Sequence, residues 1–515
     1  MTFSFDLPFS QSIVGSILCL LLVAAYVTIL PPHSRGILRG RRYVMPPGPK
    51  GRPVVGSLPD WLQARREGNM VPWLVKQAQH GEMTTLSMGT KTWVLLNSSR
   101  VVNEIIAKRA GITHERPYFP IASGLVSQDK RVFLLKTDDW REGRRLLHRL
   151  MMGAGAKNHG DLAEVASLGL LKAYLDEPKE WYSHNYRYPI AIMSKIVTNT
   201  PVQKSTAELR DLQNVTSSFL TSINSSFVEF FPQLTMLPKP LQFWRRHWED
   251  MGKFHYRVFN HWWAGMKGSE DGSAEPSYVR DVVLKSFSGT EEEAMYLSIL
   301  AIVAGADNPR MTMNAWMMAS IAYPGVMQKA REEVERVCGT GAGRLPTLDD
   351  LPSMPYMCAV VKEVLRWRPT VPLVPQRVLV EDLEFEGYTF PAGTEFLVNS
   401  IPVCSNGYDK PSEFCPERWL GSKEHGGGVD QDLWQFAFSG GRRSCVGYKL
   451  AQKELFVAFS RLLYCFDFSA GGPFDDRKLN AFEPGEPFPV KVVVRSPAHE
   501  RLVREESAKC DLWGF

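Results

Sequence analysis

Phe438-Ser439-Gly440-Gly441-Arg442-Arg443-Ser444-Cys445-Val446-Gly447 is the stretch on which the reading of this chain turns. Its glycines let the backbone approach a flat ligand closely and adopt positive φ. A turn of successive N–H groups aimed at one sulfur stabilises a thiolate, and so does the N-terminus of the helix that follows, which includes Leu450, Ala451 and Glu454. Arg443, two residues before the cysteine, is placed to neutralise a carboxylate at the ligand's edge. Phe438 can lie against a ring system. Taken alone, the same residues also suit a glycine-rich loop around a structural cysteine.

Working outward, Glu363 and Arg366 share one helical face as an ExxR pair. Glu142/Arg145 and Glu333/Arg336 repeat that spacing and read as ordinary surface pairs. Trp140 and Arg144 lie at i and i+4 of a helix and so on one face.

The cysteine loop matches position for position the FxxGxRxCxG signature of the cytochrome P-450 superfamily, and the chain resembles that family over nearly its whole length. The resemblance implies one mainly α catalytic domain with a small β part, the cytochrome P-450 fold. It implies haem b with Cys445 as the axial thiolate and metal ligand. Arg443, Trp140, Arg144 and Arg377 are then propionate partners, with Gln376 where many relatives carry histidine. Gly441 and Gly447 permit close approach, and Phe438 packs on the ring. Glu363, Arg366 and Arg418, the last from a PERW motif, form a structural triad supporting the loop.

Ala304-Gly305-Ala306-Asp307-Asn308-Pro309 stands where the family carries its oxygen-activating motif, usually Ala/Gly-Gly-x-Asp/Glu-Thr-Thr. Gly305, Asp307 and Asn308 are the candidate catalytic residues there. Pro309 has no N–H and its ring crowds the carbonyl of Gly305, at a typical cost of ~3 kcal/mol inside a helix. A kink or bulge is expected, with the Gly305 carbonyl left free for water or dioxygen. Asn308 replaces a threonine hydroxyl with an amide, a poor proton relay. Proton delivery is therefore expected through water, Asp307 or the substrate, with turnover assisted by substrate or prone to peroxide leakage.

The ends of the chain add its setting. Ser12 to Leu30 is a run of 19 residues without charge, long enough as a helix to span a bilayer's hydrocarbon core. Arg35, Arg39, Arg41 and Arg42 follow it, which by the positive-inside rule puts the N-terminus in the lumen and the rest in the cytosol. The expected layout is a lumenal segment 1–11, one transmembrane helix at 12–30 and a basic, proline-rich linker at 31–61. A haem-thiolate domain at 62–500 and a loosely held tail at 501–515 complete it. The expected location is the endoplasmic reticulum membrane with the catalytic domain in the cytosol, an orientation that leaves the acceptor patterns at Asn97, Asn214 and Asn224 unglycosylated.

The 60 Lys plus Arg against 55 Asp plus Glu give a net +5 among 515 residues, too small and dispersed an excess for nucleic acid. The eight cysteines are scattered, without the spacing of a disulfide scaffold. Periodicity predicts helices over Val71–Gln79, Ser99–Ala107, Asp139–Met152, Glu291–Ser320, Pro324–Cys338, Met354–Trp367 and Gly447–Leu463. Strands are expected at Met83–Met88, Thr92–Leu96, Leu383–Phe385, Glu395–Val398 and Val490–Val494.

The resemblance, closest to fungal secondary-metabolism members, implies a monomeric monooxygenase acting on a lipophilic small molecule. Its electrons would come from NADPH through a separate flavoprotein reductase docking near Arg442, Lys449, Lys453, Arg145 and Arg149. Apolar stretches at Tyr118–Val126, Phe219–Phe231, Ala301, Ala304 and Thr370–Val374 would line the pocket. A haem-dependent oxidase performing phenol coupling, desaturation or rearrangement is the second enzymatic reading. A haem-binding sensor or scaffold is the reading from another class.

Overall fold

The computed structural model describes residues 43–200, 205–267, 277–421, 439–475 and 488–509. Helices α1 (Leu58–Arg66) and α2 (Met70–Gln77) lead into strands β1 (Met83–Met88) and β2 (Lys91–Leu96). Next come α3 (Thr137–Met152), α4 (His159–Asp176), α5 (Trp181–Thr198), α6 (Thr206–Ser222) and α7 (Arg245–Lys267). The long α8 (Glu291–Ala322) precedes α9 (Pro324–Cys338) and α10 (Pro355–Trp367). Short strands β3 (Arg377–Val378), β4 (Leu383–Phe385), β5 (Tyr388–Phe390) and β6 (Glu395–Val398) follow. The chain ends with α11 (Tyr448–Cys465), β7 (Phe466–Ala470), β8 (Val490–Val494) and α12 (Pro497–Ser507).

Each expected helix and strand is present, several with the expected bounds and the others shifted by a residue or two at their ends. The Ser99–Ala107 helix starts as α-helix and widens into a π-helical turn from Asn103 to Ala107. At the head of α8, the Thr290 hydroxyl accepts from the Glu293 N–H while Glu293 accepts from the Thr290 N–H, a reciprocal cap that sets the start. Beyond its first turn α8 is apolar nearly all round, which buries it at the centre of the helical core. There Trp316 stacks on Phe459 of α11, with centroids 4.8 Å apart.

The helix α5 escapes periodicity because it carries Pro189 and a largely polar, aromatic sequence, yet most of it is buried. Tertiary partners supply what the pattern lacks. Tyr174 Oη donates to Asn185 Oδ1 at 2.7 Å, and Asn185 Nδ2 donates to Asn314 Oδ1 of α8 at 2.9 Å.

The principal sheet runs β1-β2-β6-β3. β2 pairs in parallel with β6, Trp93 opposite Glu395, and the indole Nε1 donates to the Glu395 carboxylate at 2.9 Å. β4 with β5 and β7 with β8 form separate two-stranded ribbons.

One part of the expected layout falls outside the described residues, and others are corrected. The transmembrane run at 12–30 lies outside the described residues, among which no helix is long and apolar enough to cross a membrane. The globule begins at least as early as Tyr43, not at residue 62. The proline-rich strap accepts from Thr85 N at Pro47 O and from Thr389 N at Val44 O, because prolines that cannot donate still offer carbonyls. The start of the 501–515 tail is not loose either. Ser496 caps α12, whose Leu502 and Val503 are buried against the helical core; residues 510–515 lie outside the described part. Glu333 is no surface group: it is buried and accepts the N–H groups of Tyr356 and Met357 at 3.1 and 2.9 Å, closing the start of α10. Asn97 and Asn224 are buried in the fold, which would hinder glycosylation whatever the compartment.

Candidate functional site

The loop from Ser439 to Gly447 enters a concave seat built by elements distant in sequence. Gly441 has φ +74°, and a Cβ there would fall 2.4 Å from the Ile106 carbonyl, so only glycine fits without displacing the π-helical turn. Gly447 is different. Its φ is ordinary and a Cβ would make only van der Waals contact with Met151 and Cys445. Its contribution is its N–H, which donates to Cys445 Sγ at 3.3 Å.

Cys445 is reachable by solvent, unlike Cys338, Cys358, Cys404 and Cys465. Enclosure by the protein pushes its thiol up, while the N–H groups of Gly447 and Tyr448 and the charge of Arg144 pull it toward the thiolate. Arg144, on α3, anchors the loop by donating to the Ser444 carbonyl at 2.6 Å.

Three further arginines converge here. Arg443 donates to the carbonyls of His114 and Leu135 at 2.8 and 2.9 Å and lies over the Trp140 ring, 4.3 Å from its centroid. Arg377, on β3, donates to Ser439 Oγ at 2.7 Å. Arg116 holds the carbonyls of Pro375 and Gln376. Burial and mutual repulsion lower these cations: Arg377 to about 9, with Arg443 and Arg144 adding to burial, and Arg443 to about 10. Arg443 comes within 3.9 Å of Glu115, but the Nη1 atoms of Arg377 and Arg443 are buried with no hydrogen-bond partner among the described residues.

Buried unsatisfied guanidinium nitrogens call for an anion. A thiol held for ligation beside cations short of anionic partners fits haem b: Cys445 to the iron, Arg377 and Arg443 to the propionates, with Trp140 and Arg144 alongside. Sequence reasoning missed His114 and Arg116. The basic cluster His114-Glu115-Arg116 ahead of α3 was the available signal. Phe438 lies outside the described residues.

The ExxR pair is a buried hub. Glu363 accepts from Arg366 Nε and Nη2 at 2.8 and 2.7 Å, from Arg418 Nε at 3.1 Å, from the Cys415 N–H at 2.8 Å and from Trp419 Nε1 at 2.9 Å. Arg366 in turn donates to the carbonyls of Cys404, Pro411 and Glu413. The triad thus pins the segment 404–419 to α10.

The α8 motif departs from expectation. The helix runs unbroken through Pro309, with no π-helical turn, because tertiary burial outweighs the cost of one proline. A Cβ on Gly305 would fall 2.6 Å from Met193 of α5, so this glycine serves close packing of two helices. Asp307 is paired: its Oδ1 accepts from Arg310 Nε and Nη2 at 2.9 and 2.7 Å, in a buried pair that Tyr182 completes by accepting from Arg310 Nη1. Ala304 and Asn308 are the exposed positions on this stretch of an otherwise buried helix. Of the expected pocket stretches, Phe119, Ile121, Ala122 and Val126 pack directly against Phe219, Ile223 and Val228 in one apolar cluster.

A family model described as Cytochrome P450 matches residues 46–482. Among curated proteins, the chain is 28% identical to Cytochrome P450 monooxygenase fogE of Aspergillus ruber, covering 90% of this chain and 89% of that one. It is 26% identical to Cytochrome P450 monooxygenase virE of Hypocrea virens, covering 90% and 87%. Among solved structures, a zebra fish cytochrome P450 determined with abiraterone superposes with a TM-score of 0.64 at 20% identity, over 83% of this chain and 99% of that one.

Proposed function

The chain belongs to the cytochrome P450 family of haem-thiolate monooxygenases, and within it we propose that it inserts one oxygen atom from O2 into a lipophilic intermediate of fungal secondary metabolism. The observation that carries the reading is the solvent-accessible Cys445 thiol, held by the Gly447 N–H beside two buried guanidinium nitrogens without partners. When bound, haem supplies dioxygen reduction and oxygen-atom transfer, favoured by electron donation from the thiolate. The protein's part is to hold Cys445 for ligation through the Gly447 N–H, to neutralise the propionates through Arg377 and Arg443, and to exclude bulk water with the aromatic cluster around Phe119 and Phe219.

The expected result for the purified full chain is the reduced carbon monoxide spectrum of a thiolate-bound haem, absent in Cys445→Ser. A Cys445→Ser protein that kept that spectrum would overturn the reading. Screening lipophilic metabolites for a spin-state shift on binding then narrows the substrate.

Electrons are proposed to come from NADPH through a separate flavoprotein reductase. A cleft of about 360 Å³ lined by Lys157, His159, Lys449 and Lys453 opens beside the cysteine loop and supports docking of an acidic partner there. The proposed site of action is the endoplasmic reticulum membrane, with the catalytic domain in the cytosol. The apolar run 12–30 supports it, as do Met236, Leu241 and Phe243, which are 85%, 60% and 79% exposed on one connecting segment beside Lys239. A second outcome, coupling or desaturation without oxygen insertion, is favoured by Asn308 in place of a hydroxyl. Labelled dioxygen separates the two by whether label enters the product.

A further inference from the structure

The stretch between α10 and β3 runs past the site. Its far end, Arg377, is tied to Ser439 of the cysteine loop, and its near end, Thr370, reaches α8. Thr370 Oγ1 lies 3.5 Å from Asn308 Oδ1. The direction of the amide is set by a second contact, because Asn308 Nδ2 donates to the Ala304 carbonyl one turn back at 3.1 Å. That bond leaves Oδ1, an acceptor without a proton, as the atom turned toward Thr370.

We propose that Thr370 supplies the distal hydroxyl of this enzyme from outside α8, with Asn308 as its positioning residue. The inference rests on the monooxygenase reading above. An amide oxygen can only accept, so the proton in the pair belongs to Thr370 Oγ1. A contact of 3.5 Å is long for an O–H···O bond, whose usual length is about 2.7–2.8 Å, so the hydroxyl is oriented without being tightly held. It would therefore be free to turn its proton to a better acceptor, a small anion held at the site when haem is bound. When Oγ1 passes that proton on, it takes another from water in the same movement, so the threonine is unchanged over a turnover and the net proton comes from solvent. Asp307 is already engaged, its Oδ1 accepting two bonds from Arg310. The Thr312 hydroxyl is likewise committed, donating to the Asn308 carbonyl at 3.0 Å.

The test is a cyanide titration of the ferric, haem-loaded full chain, followed by its absorption spectrum. Cyanide is a small anion that accepts a hydrogen bond at its outer atom and needs no knowledge of the substrate. Thr370→Val should weaken cyanide binding by about 5-fold, the scale of one hydrogen bond, and Thr370→Ser should stay within about 2-fold of the parent. Asn308→Ala should weaken it less than Thr370→Val does, and adding Asn308→Ala to Thr370→Val should change nothing more, because Asn308 acts through the hydroxyl. Asn308→Thr in the Thr370→Val background should restore affinity by returning a hydroxyl to α8. If Thr370→Val binds cyanide like the parent, or Thr370→Ser loses as much as Thr370→Val, the proposal is wrong. The carbon monoxide spectrum keeps the two claims apart: a variant that retains it but shows no change with cyanide sinks the inference and leaves the monooxygenase reading standing.

Discussion

Glu363→Ala would remove the acceptor of five N–H donors at once, at a carboxylate with 0% exposure beside an arginine with 1%. Breaking a buried pair by deleting one partner typically costs ~3–5 kcal/mol, because the remaining charge stays buried and uncompensated. Arg366 keeps its three carbonyl partners and cannot swing into water. The Cys415 N–H and Trp419 Nε1 lose their acceptor as well. At about 1 °C per kcal/mol for a chain of this size, the melting temperature of the haem-loaded protein should fall by roughly 3–5 °C in a thermal scan. The matched control is Arg246→Ala, which removes an ion pair of 3.9 Å with a side chain 95% exposed and should shift melting by no more than about 1 °C. Glu363→Gln, which keeps the shape and loses the charge, should fall between the two. Equal shifts for Glu363→Ala and Arg246→Ala would refute the claim that the hub organises the 404–419 segment.

Four further outcomes are expected. Arg377→Ala and Arg443→Ala should each weaken haem retention by roughly 10-fold, measured as transfer to a haem-scavenging apoprotein, since a hydrogen bond to a charged group contributes about 1.5–3 kcal/mol; unchanged transfer would exclude both as propionate partners. Gly441→Ala should destabilise by about 1–3 kcal/mol through its left-handed φ and the Ile106 carbonyl, whereas Gly447→Ala, which keeps its N–H and meets only ordinary contacts, should cost much less. Burial lifts the Glu229 carboxyl from 4.5 to about 7. Between those values the folded chain holds a proton that the unfolded chain has released, so stability falls as pH rises through that window; Glu229→Gln should therefore gain more thermal stability over the parent at pH 8 than at pH 5, and an equal gain at both would contradict it. Once a substrate is in hand, Asn308→Thr should lower the share of NADPH electrons recovered as peroxide, and no change in coupling or product would remove Asn308 from the mechanism.

The helices with strong apolar period, and the loop around Cys445, were legible because their information is local. The arrangement around Glu363 was readable only through the family resemblance, since its three-residue spacing recurs at Glu142/Arg145 and Glu333/Arg336 and it was the likeness of Pro416-Glu417-Arg418-Trp419 to the family's motif that implied Arg418 joins it. What could not be read was set by partners far away in sequence. Asp307 looked available until Arg310 and Tyr182 closed around it, and the bulge expected at Pro309 is missing because the packing around α8 holds its regular turns. Gly305 fits Met193, a neighbour no pattern within α8 could announce. Glu333 shared its spacing with a surface pair, and only the arrival of α10 above it turned it into a buried cap.

The seat for Cys445 draws on Ile106, His114, Leu135 and Arg144 from the first third of the chain, on Arg377 from the third quarter, and on the loop itself near the end. During synthesis, the early contributors leave the ribosome long before the cysteine that completes them. The seat can therefore close only after roughly the last hundred residues emerge, which makes its assembly a late step in folding.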